Sequence, residues 1–198
     1  MHRRFWSIER LACSRLYGVM TNLLTMAAAI GGCLGAGVYL SFAAIVMPAL
    51  GRLPASDAAA AMARINLAAV RPPFMLVFFG GAAAAGALIV VELVAGRFDG
   101  RTAARLLGAG LVLASHAVTV AANVPLNNRL AVLAADDVRV RAYWPVFAAR
   151  WGRANGLRTL TAALGAAVMV GGAGMASADV GDGSQTGSGE IVTDVSDS

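Results

Sequence analysis

Four apolar stretches of about 20 residues each constrain this chain more than any other feature, because a helix of that length spans the roughly 30 Å of hydrocarbon in a bilayer. They run near residues 22–47, 74–93, 104–122 and 155–176. The composition agrees, with 58% of the 198 residues hydrophobic, only 14% charged and a mean hydropathy of +0.68, more apolar surface than a soluble core of this length requires. The expected fold class is therefore all-α, a four-helix transmembrane bundle occupying residues 22–176. Glycine and alanine recur inside the stretches, and Gly31 with Gly35 forms a pair of small residues one helical turn apart, the pattern that lets helices approach closely in lipid.

The connecting segments fill in the rest. Residues 1–21 form a basic N-terminal extension carrying Arg3, Arg4, Arg10 and Arg15; the apolar run behind it is too long for a secretory leader and reads as a retained helix. Pro54-Ala55-Ser56-Asp57 marks a helix start with Ser56 as cap, and Arg71-Pro72-Pro73 marks its end, so a short interfacial helix is expected between spans 1 and 2. Arg97, Asp99 and Arg101 belong to a brief headgroup-level turn, and Glu92, near the end of the second span, is expected to reach Arg97 or the headgroups. The longest connection, residues 128–153, carries a solvated patch of Asp136, Asp137, Arg139 and Arg141, then Tyr143, Trp144 and Phe147, which suit an interfacial aromatic belt. Residues 177–198, rich in Gly, Ser and Asp with no basic residue, read as a disordered acidic tail.

Charge and the reactive residues exclude several functions. All sixteen basic residues are arginine and the net charge is +5, but the arginines sit between apolar runs without forming a basic stripe, so they flank a membrane rather than bind nucleic acid. They divide almost evenly between the two sides and do not fix orientation. Cys13 and Cys33 are the only cysteines and His2 and His116 the only histidines, which leaves no metal-ligand spacing, and no phosphate loop or dinucleotide fingerprint is present. No metal, cofactor or disulfide is expected.

Function is left to polar residues inside the spans. The third span runs into Asn123-Val-Pro125-Leu-Asn127-Asn128, where Pro125 is expected to end the helix and the asparagines to satisfy the freed carbonyls. The fourth opens with Trp151, Asn155 and Arg158, at i, i+4 and i+7 and therefore on one helix face. The two clusters meet at one membrane depth, where an unsatisfied polar group costs several kcal/mol. An always-charged guanidinium flanked by amides and an indole N–H suits an anionic oxygen. His116, inside the third span, is ionisable and lies seven residues before Asn123, on the same face about two turns away.

In these residues the sequence resembles the anthrone oxygenase-like integral membrane proteins, a family many of whose members are classed as a domain of unknown function. The resemblance rests on Asn123-x-Pro125-x-Asn127 and Trp151-xxx-Asn155-xx-Arg158, and extends to Gly35-x-Gly37 through Pro48 and to Pro73-Phe74, covering residues 22–176. It implies a four-helix membrane bundle and an oxygenase that converts an anthrone to an anthraquinone without metal or flavin. On that reading Arg158 with Asn123 and Asn127 would hold the oxyanion, and Trp151 would wall an aromatic substrate. Asn155 belongs to the same binding set, and His116, which is not a residue of the family motif, would serve as base. The expected partners are the lipid bilayer and a lipophilic aromatic molecule, with no nucleic acid, and the expected location is the cytoplasmic (inner) membrane of a bacterium. A noncatalytic membrane protein that binds a lipophile or a partner helix is the competing reading.

Overall fold

A computed structural model describes the backbone of residues 2–133 and 136–182 and the side chains of residues 12–133 and 136–172. Among the described residues every regular element is helical, joined by short turns. Helix α1 (His2–Ser41) continues through a π-turn (Phe42–Val46) into the single turn of α2 (Met47–Leu50). Then follow α3 (Ala55–Ala69), α4 (Pro72–Ala95), and α5 (Gly100–Val118), which a second π-turn (Thr119–Asn123) joins to α6 (Val124–Leu133). The long α7 (Asp137–Asp182) closes the fold. Three stretches, Ala12–Leu50, Pro72–Ala95 and Gly100–Leu133, are long and apolar enough to cross a membrane. Their outer faces carry exposed Leu23, Met26, Ile30, Val90 and Val94, a surface that costs little against lipid and much against water.

Local chemistry explains the boundaries. Pro72 and Pro73 occupy the first turn of α4, where a missing amide proton goes unnoticed, and Gly96 ends it in the left-handed region at φ 63. Asp99 caps α5: its carboxylate accepts the Thr102 amide at 2.7 Å, and that bond holds the Asp99 carboxyl below the usual carboxylate range.

Small residues set how closely the helices approach. A Cβ on Gly31 of α1 would lie 2.7 Å from the Gly81 Cα of α4, and one on Gly108 of α5 would lie 2.7 Å from the Gly165 carbonyl of α7. Gly35, paired with Gly31 by sequence spacing, instead faces the ring of Tyr39 on its own helix. Because backbone cannot yield as a side chain does, Gly31→Leu is expected to destabilise the fold by about 3 kcal/mol or more, read as a lowered thermal midpoint in detergent. Gly37→Leu, at a position that faces open space, should leave the midpoint unchanged.

Two apolar clusters fill the interior. Ala28, Ala85, Leu88, Val112 and Met169 form one. Met62 and Leu130 join Val140, Trp144, Phe147 and Trp151 in the other.

Beyond the first cluster, at the end where α4 meets α5, a charged pair is buried. Glu92 is 0% exposed and its carboxylate takes the Arg105 guanidinium at 2.9 Å, the Thr102 hydroxyl at 3.2 Å and the Tyr17 hydroxyl. Arg105 also donates to Asn22 Oδ1 at 2.7 Å. Glu92 thus binds Arg105 rather than the expected Arg97, whose guanidinium lies over the Tyr17 ring instead.

Several other expectations are corrected. Pro125 does not end the third helix, which runs on to Leu133, and Val124 keeps helical angles at φ −62, ψ −48. The π-turn supplies the slack: the Val124 amide reaches back five residues to the Thr119 carbonyl, and the wider turn accommodates a residue with no amide to give. Helix α3 starts on Pro54, whose carbonyl accepts the Ala58 amide, and Ser56 makes no capping bond. Most of the connection at residues 128–153 is helical, because Trp144, Phe147 and Trp151 fall on one face of α7 and bury it in the second cluster. Trp144 and Phe147 are core residues rather than an interfacial belt. Asp136 and Asp137 pair on the exposed side with Arg139 and Arg141, as a solvated face should. The backbone of residues 177–182 continues α7, and the remainder of the expected acidic tail, residues 183–198, lies outside the described residues.

Candidate functional site

Both π-turns open onto one cavity of about 430 Å³. A π-turn widens a helix and displaces its side chains, and such turns concentrate at functional sites. Here the first contributes Phe42 to the wall and the second Thr119, Val120 and Asn123. Tyr39 of α1, Asn66 of α3, Phe74 and Phe78 of α4, Asn127 of α6, and Trp151 and Arg158 of α7 also line it. Most of the wall is apolar, with polar groups at a few points, as in sites for small lipophilic ligands.

Arg158 heads the cavity, 7% exposed. Its Nε and Nη2 both donate to Asn155 Oδ1, at 3.1 and 2.8 Å, and Nη1 approaches Thr119 Oγ1 at 3.5 Å. Asn155 is itself fixed, 0% exposed, donating to the Tyr39 carbonyl at 2.8 Å just upstream of the first π-turn. The guanidinium lies 4.0 Å from the Tyr39 ring centre and 5.0 Å from that of Trp151, a cation–π contact with each. Among the described residues Arg158 has no carboxylate partner. A buried, rigidly held cation with no counter-ion among the described residues is electrostatically suited to facing an anionic oxygen.

Among the described residues, four buried side-chain polar atoms have no hydrogen-bond partner: Asn66 Nδ2, Asn123 Oδ1, Asn127 Oδ1 and Trp151 Nε1. All four residues line this cavity. Buried polar groups are nearly always satisfied, so two orphaned donors and two orphaned acceptors on residues around one space leave hydrogen-bonding capacity of both kinds there.

Of the residues singled out by sequence, Asn123, Asn127, Trp151 and Arg158 come together at the cavity, and Asn155 stands behind Arg158 as its holder. Asn123 does not satisfy its own helix end; its Nδ2 reaches across to the Trp151 carbonyl at 3.4 Å. His116 does not line the cavity. Its Nδ1 lies 2.8 Å from the Val112 carbonyl and its Nε2 2.9 Å from the Phe78 carbonyl, and its ring packs 4.4 Å from that of Phe78, which separates it from the main space. Tyr39, Asn66 and Thr119 were not singled out by sequence reasoning. Thr119 was legible as the first member of a four-residue spacing with Asn123 and Asn127, and Asn66 falls four residues after Met62 on the face that α3 buries. Tyr39 carried no such signal.

The fold and this site define a helical, membrane-type protein with a cationic group at the end of an apolar cavity. Residues 74–168 match the family model described as anthrone oxygenase, and over that region the chain is anthrone oxygenase-like. Comparison with curated proteins and with solved structures returned no match. The matched region contains Phe74, Phe78, His116, Asn123, Asn127, Trp151, Asn155 and Arg158, whereas Tyr39 and Asn66 lie before it.

Proposed function

We propose that this protein is a four-span oxygenase of a bacterial cytoplasmic membrane that converts a lipophilic, anthrone-like aromatic to its quinone without metal or flavin, with residues 155–176 of α7 as the fourth span. Arg158, without a carboxylate partner among the described residues and set against an apolar cavity, carries this reading, and the family match over residues 74–168 supports the reaction class. A base takes a benzylic C–H proton, leaving an anion whose charge is delocalised onto the ring oxygen. Dioxygen adds at the benzylic carbon, giving a peroxide. Loss of the second benzylic proton and cleavage of the O–O bond release water and leave a carbonyl, so one dioxygen yields one quinone and one water.

In this scheme Arg158 holds the ring oxygen as it gains charge, Trp151 and Asn123 contribute further polar contacts, and Phe74, Phe78 and Tyr39 receive the flat faces. His116 is the proposed base. Its two nitrogens face the Val112 and Phe78 carbonyls, which only accept, so one nitrogen must turn away from its carbonyl before it takes the substrate proton. Access requires Phe78 to shift, since Phe78 lines both the main cavity and the small void beside His116. The bilayer would deliver the substrate.

The test is oxygen uptake by the purified protein with anthrone in detergent, compared with His116→Ala and Arg158→Ala. Uptake that exceeds the spontaneous rate and falls in the variants supports catalysis. Equal rates in all three would favour the noncatalytic binding protein.

A further inference from the structure

Nothing in the reaction scheme uses Asn66 of α3, yet its amide nitrogen is one of the orphaned atoms, and Asn127 across from it on α6 supplies another. A second cavity of about 200 Å³ lies between these two helices, lined by Ala63, Asn66, Leu67 and Val70 on one side and Val124, Asn127, Asn128 and Ala131 on the other. Asn66, Val70, Val124 and Asn127 line both spaces, so the two cavities adjoin and these four residues form the neck. Arg158, by contrast, belongs only to the main cavity. Thr119, which Arg158 approaches, precedes Asn127 by eight residues, so the neck stands about 12 Å from the cationic end along the helix axis.

The neck lies where the fold is least tightly closed. Helices α1 and α4 meet backbone to backbone at Gly31 and Gly81, and α5 and α7 do so at Gly108 and Gly165. Helix α3 is seated by Ala58, Ala59 and Met62, and from Ala63 onward it has no fully buried residue. The outer lips are apolar: Leu67 is 70% exposed, Val70 66% and Val124 41%. An unsatisfied donor on the α3 wall and an unsatisfied acceptor on the α6 wall of a seam with greasy edges match a flat lipophile bearing a hydroxyl, which accepts from one amide and donates to the other.

We propose that the seam between α3 and α6 is the doorway through which the ligand leaves the membrane for the cavity, and that Asn66 and Asn127 bind a hydroxyl on the ligand edge remote from Arg158. This rests on the cavity binding an aromatic ligand, as in the preceding section, but not on its turnover. Helix α3 is then the moving part, and its N-terminal half the hinge side.

Binding of anthraquinone and of a hydroxyanthraquinone to the protein in lipid nanodiscs, followed by stopped-flow quenching of tryptophan fluorescence, tests both halves. Ala131 is exposed, so Ala131→Trp narrows the seam without disturbing the core, and it should slow association and dissociation together by about tenfold while leaving Kd unchanged. Leu67→Ala should speed both. Asn66→Leu and Asn127→Leu should weaken the hydroxylated ligand by about five- to tenfold and leave anthraquinone unaffected. Unchanged rates in Ala131→Trp and Leu67→Ala would overturn the doorway, and equal losses for both ligands in the asparagine variants would overturn the hydroxyl subsite. If the wild-type protein binds neither ligand, the cavity reading itself fails, and the doorway with it.

Discussion

Arg158→Ala is expected to lower the rate of anthrone oxidation by roughly a hundred- to a thousandfold, the usual consequence of removing a preorganised oxyanion donor from a dry site. The effect should fall on kcat more than on KM, because the ring oxygen gains its charge only as the proton leaves. Arg158→Lys should recover little of this. A lysine ammonium cannot give two bonds to Asn155 Oδ1 while lying against the rings of Tyr39 and Trp151, so its charge would be poorly aimed. Asn155→Leu removes the holder and leaves the cation in place, so a fall of about tenfold is expected, with a thermal midpoint lowered by the loss of the Tyr39 contact. Rates measured on protein that elutes as a single folded species in detergent decide among these variants.

The largest expected effect on stability lies at the other end of the bundle. Glu92→Ala strands Arg105 in the interior with Asn22 as its remaining partner among the described residues and also removes the acceptor of Thr102 and Tyr17, and breaking a buried pair in this way costs about 3–5 kcal/mol. Replacing both partners, Glu92→Leu with Arg105→Met, removes the unpaired charge and should restore most of the lost midpoint, since two apolar side chains of similar volume fill the same space. Glu92 follows Phe78 on α4 by fourteen residues, about 21 Å along the axis, so the double variant should keep its ligand affinity. A single variant as stable as the wild type would show that the pair is not what holds this end together.

The membrane-type helices were legible because hydropathy and length act on the whole segment at once. Helix junctions were less so. Pro125 has an unambiguous local preference, but the π-turn before it removes the conflict, and no residue pattern in Thr119–Asn123 announces that turn. Similarly, Trp144 and Phe147 have the composition of a belt, and only their burial against Met62 and Leu130 makes them core. The cavity-lining residues on α6 and α7 could be found because asparagine and arginine are conspicuous in an apolar run. Asn66 sits in a helix polar enough to hide it, and Tyr39 is an aromatic among apolar residues. Their roles depend on which helices become neighbours. Glu92 was legible as a charge near a helix end, but its partner thirteen residues on, Arg105, required the α4–α5 hairpin to be folded first.

A structure of the protein in nanodiscs with a hydroxyanthraquinone bound tests the central claim most directly. The prediction is a ligand lying in the cavity between Tyr39, Phe74 and Trp151, with one oxygen within hydrogen-bonding distance of the Arg158 guanidinium. A ligand seated elsewhere, or a cavity filled by a lipid acyl chain while Arg158 faces no oxygen, would contradict it.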